Sequence, residues 1–246
     1  MYRVEAFIER CLKSCINQNL PESEYEIICV NDGTPDNSAV IVREIAKKHS
    51  NIIVIDRENG ISIIDSTPLV SCHIKRMHMH KTMKGWAAKG KCTMGWFYGF
   101  KLHLVINDKG EIIQWQLTPG NVDDRAPLKD SRFTEKLFGK LFADRGYISQ
   151  DLFEMLFVDD IHLVTKIKKN MKNSLMNLYD KLMLRKRSVI ETVNDELKNV
   201  CQIEHTRHRS IDNFATNLFA GLIAYNLLPK KPAMNLEIID RSRLIA

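Results

Sequence analysis

The sequence lacks the marks of a secreted, membrane-bound or disulfide-held protein. Its first twenty residues mix acids and bases without the apolar run of a secretory signal. The most apolar late stretch, Phe214 to Leu228, is interrupted by Asn217 and Asn226 and is too short to span a bilayer. It reads as a buried helix, and the expectation is a cytoplasmic protein with no membrane partner. The six cysteines stand at irregular spacings, so reduced thiols packed in the core are expected. Cys72, His73, His78, His80 and Cys92 crowd one stretch, but no CxxC or HxxxH pair occurs among them. A basic, substrate-facing loop is therefore expected there rather than a zinc site. No repeat, low-complexity tract or covalent nucleophile with evident partners is present.

Charge is unevenly spread. Residues 1–60 hold 7 Lys+Arg against 10 Asp+Glu, whereas the remainder holds 29 against 20. A basic second part suits a polyanionic partner without proving one. The 246 residues can fill one large domain or two small ones.

Patterning divides the chain near Gly60. Before it, apolar residues at helical spacing predict a helix over Val4 to Ile16. A strand follows over Tyr25 to Val30, then a helix from an N-cap at Ser38 to about His49, and a strand over Asn51 to Ile55. This alternation belongs to a parallel sheet. After the break come a strand at Ile61 to Ile64, a polar loop at Ser71 to Lys91, and strands at Gly95 to Asn107 and Ile112 to Thr118. The turn Asn107-Asp108-Lys109-Gly110 joins that pair into a hairpin. A helix is expected to begin within Asp123 to Asp130, a strand at Lys140 to Ala143, a helix at Gln150 to Phe157 and a strand at Ile161 to Ile167. Helices fill most of the rest. This order predicts an α/β fold, an RNase H-like mixed sheet flanked by helices.

Three acids stand where such a sheet gathers residues: Asp65 at the end of the first strand, Asp144 at the end of a later one, and Glu191 on a helix. Carboxylates are the hard oxygen ligands that hold Mg²⁺. Paired ions activate an attacking water or 3′-hydroxyl and stabilise the leaving oxygen. Lys101 and His103 alternate on a strand, either toward the active edge or merely on its polar side. Trp86, Trp96 and Trp115 are stacking candidates, with packing the plainer expectation. Arg207 and Arg209, flanking His208, suit phosphate contact.

The segments I-D-S-T-P-L, G-W-F-Y-G-F-K-L-H, L-T-P-G-N-V-D-D, F-A-D-R-G-Y and R-S-V-I-E-T-V-N-D-E-L-K together resemble the DDE transposases of bacterial insertion sequences. The resemblance runs from about Ile63 to Pro232. It implies Asp65, Asp144 and Glu191 as catalytic, metal-binding acids for Mg²⁺ or Mn²⁺, with two ions. The family has an Arg four residues before the third acid and a Lys seven after it, matched by Arg187 and Lys198, which would contact DNA or orient the acid. It also has a Tyr three before the Arg, where this chain has Leu184. The implied partner is DNA, both element ends and target, in recombination by strand cleavage and transfer. A homodimer is allowed for, and no small-molecule cofactor is implied.

Residues 2–60 resemble the start of family 2 glycosyltransferases, through Y-R-V-E-A-F-I-E-R-C-L, E-I-I-C-V-N-D-G-T-P-D-N-S and I-V-I-D-R-E-N-G. That resemblance implies a partial βα fragment of a GT-A-like, Rossmann-like fold, with Asp32 as a vestigial nucleotide-sugar contact; the residue-level alternative is a turn-shaping Asp-Gly. The domains are then 1–60, 61–232 and a tail at 233–246. The family's first strand and its metal-binding motif fall outside the resembling piece, and the transposase family's helical end-reading region is replaced by it. The combined expectation is a truncated, impaired transposase in chimeric form. The alternatives are a glycosyltransferase remnant retaining nucleotide-sugar binding, or an inactive fusion.

Overall fold

The computed structural model describes residues 4–32, 36–57, 60–166, 176, 178–204 and 208–234. They fall into two compact units, Met1–Gly60 and Ile61–Ala246.

In the first unit, helix α1 (Glu5–Ile16), strand β1 (Ile27–Asp32), helix α2 (Ser38–Ala46) and strand β2 (Ile52–Arg57) follow the predicted alternation. β1 and β2 pair in parallel from Ile27↔Ile52 to Asp32↔Arg57. One face of this ribbon buries Cys29 and Ile52 against Leu12 and Val42 of the helices. Alternation along each strand turns Ile28, Ile53 and Ile55 to the other face, where they are 41–57% exposed. Two expectations need correction. Ser38 is inside α2, with Asn37 at the cap position, because its hydroxyl instead accepts from the Val4 amide. Of the six cysteines only Cys29 is buried; Cys11 lies on the solvent side of α1.

The second unit is a six-stranded mixed sheet of β3 (Ile61–Cys72), β4 (Ala88–Cys92), β5 (Gly95–Asn107), β6 (Ile112–Pro119), β7 (Gly139–Ala143) and β8 (Ile161–Thr165). Its order is β4-β5-β3-β7-β8, with β6 also paired to β5. β3, β7 and β8 run parallel, while β5 runs antiparallel to β3, β4 and β6. Helices cover both faces, so β3 reads as a nearly continuous apolar run whose neighbours Ile63 and Ile64 enter different cores. Ile63, Leu102, Leu104 and Phe142 meet α5 (Leu178–Lys186), α6 (Val189–Asn199) and α7 (Ile211–Leu227). Ile64, Val105 and Leu141 meet the short helix α3 (Ser131–Thr134) and α4 (Gln150–Val158) on the other side.

The hairpin turn forms as its residues dictate. Asn107 Oδ1 accepts from the amides of Lys109 (3.0 Å) and Glu111 (2.9 Å), and Gly110 has φ +75°. A Cβ on Gly110 would also strike the Pro232 carbonyl, so this glycine admits the chain that follows α7. There Met234 donates its amide to Asp108 (2.8 Å), and the buried Tyr225 hydroxyl donates to the Gly110 carbonyl (2.7 Å). Residues 233 and 234 of the expected tail thus pack on the turn, and 235–246 lie outside the described residues.

Other elements depart from expectation. β3 runs seven residues past Asp65, because β5 pairs with it from Asn107 to Tyr98. β7 pairs β3 only as far as Ile63, so the later part of β3 has one neighbour and Pro68 is tolerated at that edge. The region 123–134 forms a 3-10 turn and one short helix rather than a longer one. The stretch 71–91 contains a 3-10 turn at Ile74–Met79 and most of β4. Ile167, the expected end of β8, lies outside the described residues. α7 buries Phe214, Leu218 and Leu222 but leaves Phe219, Ile223 and Leu227 half-exposed or more, so it is buried on one side only.

Replacing Tyr225 with Phe removes one buried hydrogen bond and little volume. The variant is expected to lose about 1 kcal/mol, seen as a drop of about 2–4 °C in Tm. An unchanged Tm would show that the Tyr225–Gly110 bond does not hold the turn.

Candidate active site

The register of two parallel strands builds the site. The last pair between β3 and β7 is Ile63↔Phe142. Two residues beyond it stand Asp65 on β3 and Asp144 on the chain leaving β7. Side chains alternate, so both acids share the face of Ile63 and Phe142, and neighbouring strands lie only ~5 Å apart. Because β7 stops at Ala143, no further backbone pairing covers them. The same face is roofed by α6, whose Asn194 Nδ2 donates to Asp65 Oδ2 at 3.4 Å. Glu191, three residues earlier, lies on the same side of that helix.

Electrostatics tie the three acids together. Burial is the main cause that raises the Asp65 pKa to about 6; the Arg187 guanidinium opposes this, and the Asp144 and Glu191 charges add to it. Asp144 is exposed and caps the turn Arg145–Tyr147, accepting from the Arg145 amide at 2.6 Å. The Glu191 side chain is 63% exposed. Arg187 lies in the short break between α5 and α6 rather than on the helix of Glu191. Its guanidinium still reaches both acids, at 4.0 Å from Asp65 and 3.7 Å from Glu191. These are long for ion pairs, and the buried Nη1 has no hydrogen-bond partner.

Among the described residues no three of His, Cys, Asp and Glu converge closely enough to hold a metal ion as they stand. The donor set nevertheless fits a hard divalent cation: three carboxylates, one partly buried with too little counter-charge and two on the open surface beside it. The histidines and cysteines of 72–92 are not gathered either; His73 caps its own 3-10 turn through Nδ1.

The remaining candidates occupy varied places. Lys198 is largely buried and engaged, donating to the Pro68 carbonyl (2.7 Å) and pairing with Glu204 (3.1 Å). Arg209 is exposed just before α7, and Arg207 lies outside the described residues. Asp32 ends β1, and its side-chain surroundings lie outside the described residues. His103 is fully buried, paired through Nε2 with Thr118 (2.8 Å), and burial pushes its pKa down to about 4. It pairs with Ser66, so it lies on the face opposite Asp65.

Sequence reading missed a polar cluster on that opposite face. Asp124 accepts from Ser66 Oγ and Lys101 Nζ, both at 2.8 Å, and Lys101 also donates to the Val122 carbonyl. The Tyr147 hydroxyl is buried nearby without a hydrogen-bond partner. Burial first, then the Asp65 and Asp124 charges, hold its pKa well above the usual phenol range. The Ser66 hydroxyl offsets part of this but is directed to Asp124. The signal was present in L-T-P-G-N-V-D-D, whose second aspartate had no assigned task. Asn194 was likewise legible as the helical neighbour of Glu191.

Residues 55–211 match the family model for the transposase DDE domain, and residues 1–63 match that for glycosyl transferase family 2. Among known proteins, the uncharacterised glycosyltransferase EpsJ of Bacillus subtilis is 52% identical over 60 residues, 24% of this chain and 17% of its own length. Poly(ribitol-phosphate) beta-glucosyltransferase of Bacillus spizizenii is 44% identical over 57 residues, 23% of this chain and 9% of its own. The chain therefore spans less than a fifth of either relative. Among solved structures, the piggyBac transposase synaptic complex with hairpin DNA is similar at a TM-score of 0.45 and 10% identity, over 68% of this chain and 46% of that one.

The Asp65 shift gives a pH prediction. The folded chain keeps that proton up to about pH 6, whereas the unfolded chain releases it near the ordinary aspartate value of 3.8. Ionisation therefore costs stability as pH rises through this window, and the cost is absent below it. In metal-free buffer, Asp65→Asn is expected to be about 1–3 kcal/mol more stable than wild type at pH 7.5, with the gap closing below pH ~4. Urea unfolding at both pH values measures it. Equal stability at pH 7.5 would refute an under-compensated buried acid.

Proposed function

Since the chain belongs to the transposase DDE domain family, we propose that residues 61–232 are the catalytic domain of a DNA transposase acting by metal-dependent strand cleavage and transfer. The observation that carries this reading is the shared face and level of Asp65 and Asp144 beyond the Ile63↔Phe142 pair, under the helix that bears Glu191. These three acids are the residues that would hold Mg²⁺ or Mn²⁺. A bound divalent ion supplies Lewis-acid stabilisation of the phosphate and a more acidic attacking water or 3′-hydroxyl.

The chain's own groups divide the remaining work. Asp65 must lose its proton to act as a ligand, so a metal ion there would compete with the proton that burial favours. Arg187, loosely held between two acids, could donate to a phosphate oxygen in exchange. Lys198 acts as a brace: bonded to the Pro68 carbonyl and Glu204, it fixes α6 against β3 and so sets the height of Glu191. Arg209 remains an exposed candidate for DNA phosphate contact.

For residues 1–60 we propose no sugar transfer. The matched piece has two strands, and one face of their ribbon carries three exposed isoleucines. This segment directly precedes the catalytic domain, and cleavage by the joined chain is proposed to be impaired.

Supercoiled plasmid with Mn²⁺ tests the reading, because one nick changes its mobility. The wild-type chain is expected to nick only with metal, and Asp144→Ala is expected to lose about 100-fold or more. Equal nicking by the variant would remove the support for catalysis. A folded wild type that does not nick would favour the inactive fusion.

A further inference from the structure

A second feature lies along the edge of the catalytic unit. A groove of about 400 Å³ runs between β4 and the loop at 120–124. Its inner end approaches the acids only through sequence neighbours: Gly146 is two residues after Asp144, and Lys101 meets the Asp124 carboxylate that also accepts from Ser66, the neighbour of Asp65. A Cβ on Gly146 would meet nothing within 4 Å, so the groove is open there. Its floor is backbone. A Cβ on Gly90 would collide with the Gly120 carbonyl, which is why two glycines stand where β4 and the loop touch.

The outer end has a different chemistry. Trp96 is 57% exposed, although a tryptophan of a packed sheet is ordinarily covered. Lys91 is its partner across the strand pair, and Lys89 is the next residue on the same side of β4. Their ammonium groups stand 5.7 and 4.4 Å from its ring centroid. Neither lysine forms an ion pair among the described residues. Lysines on an edge strand also discourage pairing with other chains, but that task needs no exposed indole between them. Counting along β5 from Leu104, the partner of Asp65, Trp96 is eight residues away, or roughly 27 Å of strand.

We propose that this groove holds an unpaired DNA strand leading away from the carboxylates, with a base stacked on Trp96 and its flanking phosphates met by Lys89 and Lys91. An aromatic plane beside two free cations suits a strand whose bases are unstacked, because a duplex hides its base faces. The inference rests on the proposed reaction on DNA, and it names which form of the substrate the edge takes.

Binding by the full chain tests it, using a fluorescent oligothymidylate of about fifteen nucleotides, its abasic counterpart and a duplex of the same length. Trp96→Ala is expected to weaken the oligothymidylate about tenfold while leaving the abasic strand and the duplex unchanged. The double variant Lys89→Ala/Lys91→Ala is expected to weaken both single strands and to flatten the log–log salt dependence by about 1.4. Trp86→Ala, equally exposed but outside the groove, serves as the control and should bind as wild type. Unchanged binding by Trp96→Ala, or an equal loss on the abasic strand, overturns the proposal. The plasmid assay separates the two readings. Asp144-dependent nicking with Trp96→Ala binding like wild type sinks the groove alone. Trp96-dependent binding without any nicking supports the groove and sinks the proposed catalysis.

Discussion

The parallel pairing of β3 with β7, and the point where it stops, governs the candidate site. Had β7 continued two residues further, Asp144 would sit inside a ladder and its carboxylate would be less free. Had the register slipped by one, Asp65 and Asp144 would point to opposite faces. The slip is prevented by the cores. Ile63 and Phe142 enter one apolar layer and Ile64 and Leu141 the other, so a shift would exchange both sets at once. The geometry of the candidate site is thus a by-product of apolar packing on two faces of one sheet.

A buried acid near two other acids is a poor arrangement for a chain without a cation. Arg187 relieves it only in part, at distances of 3.7–4.0 Å and with an unpartnered nitrogen. Replacing this loose contact by a divalent charge would gain more than a tight native ion pair would allow, since a tight pair must first be broken. Site and stability therefore pull in opposite directions at Asp65, as is common where function needs an unfavourable placement.

Much of this was legible in the sequence, and the failures have physical causes. Alternation, the Asn107–Gly110 turn and the apolar runs located most strands and helices. The three acids could be singled out by their order, but not the parity that unites two of them, which depends on pairing over eighty residues. Pro68 and the polar S-T-P stretch disguised the second half of β3, because a strand with one neighbour tolerates residues that a central strand rejects. Lys198 has the spacing of a DNA contact, yet its charge is spent on Glu204 and a carbonyl, which no spacing rule reveals. His103 reads as a polar strand residue and is buried, since Thr118 from the neighbouring strand satisfies one nitrogen. Trp96, Trp86 and Trp115 were equivalent in sequence. Only the structure separates the exposed Trp96, bracketed by two lysines, from Trp115, packed edge-on against Phe219.

The two family matches correspond to units that each have their own apolar core. The small core of Leu12, Cys29, Val42 and Ile52 draws on residues 1–60 alone, and both larger cores draw only on residues after Gly60. The contacts named for the acids, from the Ile63↔Phe142 pair to the Lys198 brace, lie within the second unit. The placement of the acids is therefore accounted for within the second unit. That second part is also the one whose Lys+Arg exceed its Asp+Glu, by 29 to 20.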